Sequence, residues 1–168
     1  MKAPVALLCG AESQRRLTMD LILWRHADAE DGSPDLARAL TPKGHKPAAQ
    51  MARWLRQHLP QDTRVIVSPA RRAQETAQAL TSDFETVEAV APGANYEAVL
   101  SAAHWPRARR AVLVVGHQPT LGEAVAALIS GTPSGWLIKK AAICWITQRV
   151  RGGQPEVLLR AVMSPDLL

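Results

Sequence analysis

Aromatic side chains are scarce: the 168 residues hold one Phe, one Tyr and five Trp. Cysteine is scarcer, with Cys9 and Cys144 alone. Two cysteines cannot build a disulfide framework, and neither stands in a CxxC pair or beside a histidine cluster. They read as reduced thiols of a cytoplasmic protein, and the sequence gives no sign of a metal or a cofactor. No apolar run approaches the roughly 20 residues of a membrane-spanning helix, so no membrane association is expected. Long runs of one charge are also missing. The 20 Lys+Arg and 15 Asp+Glu are spread along the chain, and basic residues are not interleaved with stacking aromatics. That pattern argues against nucleic acid as a partner.

What is present suits one folded domain. The length is that of a single domain, with enough chain to bury a core without staples. Apolar residues make up 47%, and mean hydropathy is −0.08, which excludes a disordered tail or a collagen-like chain. The formal charge is +5, and arginine supplies 15 of the 20 basic residues. The guanidinium is a planar fork of donors that matches carboxylates and phosphates, so the excess suits an anionic ligand.

Residues 1–18 read as a loose extension, with Met19 a candidate alternative start and a short packed strand at Val5–Cys9 the other reading. Residues 19–168 read as the domain. Leu21–Trp24, Val65–Val67 and Ala111–Val115 are short apolar runs of strand type, and Thr86–Val90 a weaker one. Between them, Thr41-Pro42 looks like a helix N-cap followed by proline at the first helical position. Ala48, Met51, Ala52, Leu55 and Leu59 then recur at helical spacing. Ala70–Leu80, Tyr96–Ala103 and Leu121–Ile129 are the further helices, the last closed by Gly131. Ala142–Thr147 and Glu156–Val162 read as closing strands joined through Gly152-Gly153. Alternating strands and helices predict an α/β fold, a three-layer α/β/α domain with a mostly parallel central sheet. Ligands of such sheets sit beyond the carboxyl ends of the strands.

Three segments fall at those ends. Arg25-His26 follows the first strand, Ser68-Pro69-Ala70-Arg71-Arg72 the second, and Gly116-His117-Gln118-Pro119 the strand Ala111–Val115. Two histidines and two or three arginines would converge there. A neutral imidazole is a nucleophile toward phosphorus. A phosphoryl group in transit spreads charge over three oxygens and is served mainly by positioning and positive charge. The set therefore predicts metal-free phosphoryl transfer. Gly44-His45-Lys46-Pro47 repeats the Gly-His-x-Pro pattern inside a helix, so His45 reads as structural or exposed, as do His58 and His104.

The chain resembles the histidine phosphatase superfamily, the phosphoglycerate mutase-like fold, in its small SixA-type phosphohistidine phosphatase branch. The resemblance rests on Leu21–Ala29, on Leu40-Thr41-Pro42-Lys43-Gly44, and on Val67-Ser68-Pro69 with Arg72-Ala73 and Thr76. Val114–Pro119 and Met163-Ser164-Pro165 complete it. It implies that His26 is the nucleophile and that Arg25, Arg72 and His117 form the phosphate pocket. Ala27 departs from the usual glycine after the histidine, and alanine is small enough to serve. The general acid is less defined. Asp28, closest to the motif, is the candidate, and Glu30, Asp31, Asp35 and Glu88 read as solvated loop charges. Gln118 and Lys140 are candidate rim residues, and Trp136 a further rim contact. The expected substrate is a phosphohistidine protein, such as a histidine phosphotransfer domain, because the chain has little material for a lid. A small phosphorylated metabolite is the alternative, and an inactive phosphoprotein-binding module the third reading.

Overall fold

The computed structural model describes residues 18–168. The expected extension, with Val5–Cys9 in it, lies outside the described residues except for Thr18. In chain order the elements are β1 (Thr18–Arg25), α1 (Pro42–His58), β2 (Arg64–Val67), α2 (Arg71–Gln78), β3 (Glu85–Thr86), α3 (Tyr96–Ala102), β4 (Val112–Gly116), α4 (Thr120–Ser130), β5 (Ile143–Arg151) and β6 (Gln154–Met163). They form a six-stranded sheet in the order β3-β2-β4-β1-β5-β6. The four strands β3, β2, β4 and β1 are parallel. β5 and β6 add antiparallel to that edge.

Strand periodicity explains the layers. Successive side chains of a strand point to opposite faces, and β4 and the Leu21–Trp24 stretch of β1 are apolar at every step because both faces are covered. Leu21 and Leu23 join Val112 and Val114 on one face, packed with Val99 of α3 and with Leu121, Ala124 and Val125 of α4. Ile22 and Trp24 join Leu113 and Val115 on the other, packed with Met51, Ala52 and Leu55 of α1 and Ala73 and Ala77 of α2. Cys144 lies buried in this core, and burial pushes its thiol up to about 11, so it is inert.

Three strand boundaries differ from the sequence expectation by three residues or more. β1 reaches back to Thr18, the first described residue, because Thr18, Met19 and Asp20 pair with Arg149, Gln148 and Thr147. β5 extends to Arg151 through the same pairing and its hairpin with β6. The expected strand Thr86–Val90 is shorter: only Glu85 and Thr86 pair with β2, and Glu88–Val90 winds into a 3-10 turn that buries Val90. Hydrogen-bonded neighbours, absent from local sequence, account for the added residues of β1 and β5 and for the early end of β3.

The start of α1 is the joint that matters for the site. Thr41 caps it, its hydroxyl accepting from Gly44 N at 2.9 Å, and Pro42 occupies the first helical position. Thr41 N donates to Asp28 O at 3.0 Å, and Leu40 N donates to Glu75 Oε2 of α2 at 2.7 Å. Glycine weakens a helix by about 1 kcal/mol relative to alanine, yet Gly44 is required. A Cβ there would stand 2.2 Å from Asp28 O. Gly44→Ala is therefore expected to lower stability by about 1–3 kcal/mol despite its better propensity; a urea melt showing stabilisation would refute the contact.

Candidate active site

The carboxyl ends of β1, β2 and β4 meet at one point of the sheet. Arg25 is registered against Gly116, and His26 N donates to Gly116 O at 3.1 Å. Ser68 N donates to Val115 O at 3.1 Å. The sheet thus brings His26, Ser68 and His117 together from three distant parts of the chain. The His26 and His117 rings lie 5.0 Å apart, tilted by 53°. Both are buried, at 9% and 4% exposure, as is Arg72 at 4%.

Each imidazole is held by one ring nitrogen. His26 Nδ1 lies 2.7 Å from Ala27 O. A carbonyl only accepts, so Nδ1 carries the proton and the Nε2 lone pair is left over. Ala27 is itself fixed, since its N–H donates to Thr76 Oγ1 at 3.0 Å. Thr76 in turn donates to Arg72 O at 2.7 Å. Ala27 is fully buried against Leu40, Ala48 and Ala141, which shows how alanine is accommodated after the histidine. His117 Nε2 lies 2.7 Å from Ser68 Oγ. Among the described residues His117 Nδ1 and Arg25 Nε are buried without a hydrogen-bond partner. Buried polar groups are normally paired, and a phosphoryl oxygen is an acceptor for such donors.

Burial and positive neighbours keep both rings neutral. His26 falls from the usual 6.5 to about 4, first through burial and then through Arg72, Arg25 and Lys140, with the Ala27 hydrogen bond opposing. His117 falls to about 3, first through burial. Near pH 7 the site therefore holds an uncharged imidazole with a free lone pair beside two guanidinium groups.

The other expected site residues are distributed differently. Arg25 donates through Nη1 to Ile138 O at 2.6 Å, which ties the loop before β5 to the site. Arg71 is exposed and pairs with Glu75, as a surface arginine. Asp28 accepts from Thr41 Oγ1 at 2.8 Å and forms an ion pair with Lys140. The Lys140 ammonium, and next the Thr41 hydroxyl, hold its carboxyl below the usual range. A carboxylate kept ionised in this way is a poor proton donor, so the geometry disfavours Asp28 as the acid. Lys140 stands at the rim, and its charge acts on His26. Gln118, expected at the rim, is instead spent within the fold. Its amide accepts from Gly122 N at 3.0 Å and donates to Trp136 O at 2.8 Å. Trp136 is 44% exposed on that loop.

Sequence reasoning understated two residues. The sequence gives Ser68 no role beyond its place in the motif, and the structure shows its hydroxyl holding His117 Nε2. Asp35, read as solvated, reaches Arg72. Its carboxylate accepts from Arg72 Nη2 at 3.0 Å, and its carbonyl accepts from Nη1 at 2.8 Å. Arg38, then Arg72, hold that carboxyl below its usual range. Asp35 therefore sits where an oxyanion would bind the same fork. The Ser-Pro-x-x-Arg spacing and an acid in the 28–40 loop were the available signals, but the loop's path was not.

A family model described as histidine phosphatase superfamily (branch 1) matches residues 21–93. A Haemophilus influenzae protein named phosphohistidine phosphatase SixA homolog is 34% identical over 126 residues, 66% of this chain and 77% of the relative. The chain belongs to the histidine phosphatase superfamily. It is a phosphatase. Escherichia coli phosphohistidine phosphatase SixA is 32% identical over 122 residues, 67% of this chain and 76% of that one. A solved structure of the protein histidine phosphatase SixA complexed with tungstate matches with a TM-score of 0.68 and 28% identity, covering 89% of this chain and 99% of the other.

The two low imidazole values set a pH expectation. Each depressed value means that the unfolded chain binds more protons than the folded one below about pH 6.5. The stability that neutral His26 and His117 contribute is complete above that pH. It is lost progressively as pH falls toward 4 and 3. Proton NMR should show the His26 and His117 ring signals not titrating between pH 8 and 5; a midpoint near 6.5 for either would refute the arrangement.

Proposed function

We propose that this phosphatase removes phosphate from phosphohistidine in a protein, without a metal, through a covalent intermediate on His26. The observation that carries the reading is the fixed tautomer: Nδ1–H on Ala27 O leaves Nε2 as the nucleophile. In the first step Nε2 attacks phosphorus, and the substrate's P–N bond breaks. The substrate ring, protonated on its other nitrogen, leaves as neutral imidazole. His26 becomes a phosphoimidazolium whose proton stays on Nδ1, donated to the Ala27 carbonyl. That proton keeps the ring a good leaving group. Water then attacks phosphorus, its proton goes to the departing phosphate, and His26 returns neutral.

Arg25, Arg72 and His117 are assigned to the phosphoryl oxygens. Fork-shaped charged donors are strongest on such oxygens, and preorganised positive charge commonly supplies the largest part of catalysis. Arg72 must exchange the Asp35 carboxylate for the incoming oxyanion. The acid chemistry favours a P–N bond over a phosphate ester. An alkoxide needs a proton donor, but Asp28 is engaged by Lys140 and Asp35 by Arg38 and Arg72. A protonated imidazole needs none. The names of the two relatives and of the tungstate complex agree with that substrate class.

A paired assay tests the reading. Wild type and His26→Ala are offered a phosphohistidine protein and a panel of small phosphomonoesters, with EDTA present. Wild type is expected to release phosphate mainly from the phosphohistidine protein, undiminished by EDTA, and His26→Ala to release none. Strong inhibition by EDTA would mean that a metal takes part, and preference for a phosphomonoester would make this a metabolic phosphatase. Arg72→Ala should cost on the order of 10²-fold or more in kcat, as for loss of a transition-state charge donor; a purely larger KM would assign Arg72 to ground-state binding alone.

A further inference from the structure

Beside the site runs a groove of about 700 Å³ between the start of α1, the loop before β5 and the carboxyl-terminal 3-10 turn at Pro165–Leu167. The chain holds five lysines against fifteen arginines. Four of the five, Lys43, Lys46, Lys139 and Lys140, line this groove, and no arginine does. The facing acids are Asp166, paired with Lys139 at 2.7 Å, and Asp28, paired with Lys140. Among the described residues Lys43 and Lys46 have no carboxylate within salt-bridge distance, and both are exposed.

The fold does not ask for these charges. The first turn of a helix favours acidic residues, because the aligned peptide dipoles leave it positive. The first turn of α1 contains no acid, and Lys43 lies in it. Basic residues there cost stability and are compatible with a partner that supplies negative charge. The groove borders the site through Lys140, which lines it, pairs with Asp28 two residues beyond His26, and adds its charge to those acting on His26. The same loop carries Trp136 and Leu137, 44% and 89% exposed. Exposed large apolar side chains at the rim suit a protein surface better than a nucleic acid backbone.

We propose that this lysine groove docks an acidic segment of the phosphoprotein substrate, seating it so that its phosphohistidine reaches His26. The proposal rests on the phosphohistidine reading above. It adds that acidic residues flanking the target histidine select the substrate.

Synthetic peptides test it. One carries a histidine flanked by glutamates, the other the same histidine flanked by serines, each phosphorylated with phosphoramidate. Wild type is expected to show a KM about tenfold lower for the glutamate peptide, as for a few exposed charge pairs. The preference should vanish in the Lys43→Glu/Lys46→Glu double variant, while turnover of free phosphohistidine stays unchanged. Position 43 lies in the first turn of α1, where an acid is favoured, and position 46 is an exposed helical site, so the variant should fold. Equal KM values in wild type, or a preference surviving the double substitution, would overturn the proposal. Fluorescence anisotropy of the unphosphorylated peptides separates the two readings. Tighter binding of the glutamate peptide without turnover of either phosphopeptide would support the groove and refute the phosphohistidine function. Equal binding would refute the groove whatever the activity. An oligothymidylate that displaces the glutamate peptide with higher affinity would also overturn it, in favour of a nucleic acid surface.

Discussion

The parallel pairing of β1 with β4 at the centre of the sheet is the constraint from which the site hangs. β4 and the Leu21–Trp24 stretch of β1 are buried on both faces, so neither can slip by a residue without sending large apolar side chains to the wrong layer. That register stops Arg25 opposite Gly116 and delivers His26 and His117 side by side at the same edge. β2, paired to the other side of β4, delivers Ser68 to His117. The apolar core therefore sets the distances on which the chemistry relies.

A second layer of hydrogen bonds converts that placement into chemistry. Thr76 reaches from α2 to Ala27, Ala27 fixes the proton of His26, and Ser68 fixes His117. Burial adds the electrostatics. An imidazole among guanidinium groups is held neutral because its cation would be both desolvated and repelled. The same positive field that keeps His26 unprotonated is suited to hold a phosphoryl dianion. The polar residues around it are arranged to match: Asp35 balances Arg72, and Asp28 balances Lys140.

Much of this was legible in the sequence, for identifiable reasons. The apolar runs Leu21–Trp24 and Ala111–Val115 mark strands because a doubly covered strand must be apolar throughout. Thr41-Pro42 and the spacing of Ala48, Met51, Ala52 and Leu55 mark α1 because capping and helical periodicity are local. The strand-end placement of Arg25-His26 and Gly116-His117 brought the site into view. Limits set by distant partners were not legible. The first residues of β1 and the last of β5 are strand only because they pair with each other. Glu88–Val90 leaves the sheet because the chain turns to bury Val90. Gln118 lies beside a motif histidine yet faces the 131–142 loop, where a close approach to Gly122 draws the backbone of Trp136 within its reach.

By itself, then, the sequence determined the layered fold and the strand ends at which Arg25, His26, Ser68 and His117 gather. These depend on periodicity, capping and the order of short motifs, all of which are local in the chain. Tertiary structure decided which nitrogen of His26 holds the proton, which carboxylates are tied up by lysine and arginine, and how four lysines separated by nearly a hundred residues come to share one groove. Those outcomes depend on distances of a few ångströms between segments far apart in the chain, and no local pattern encodes them.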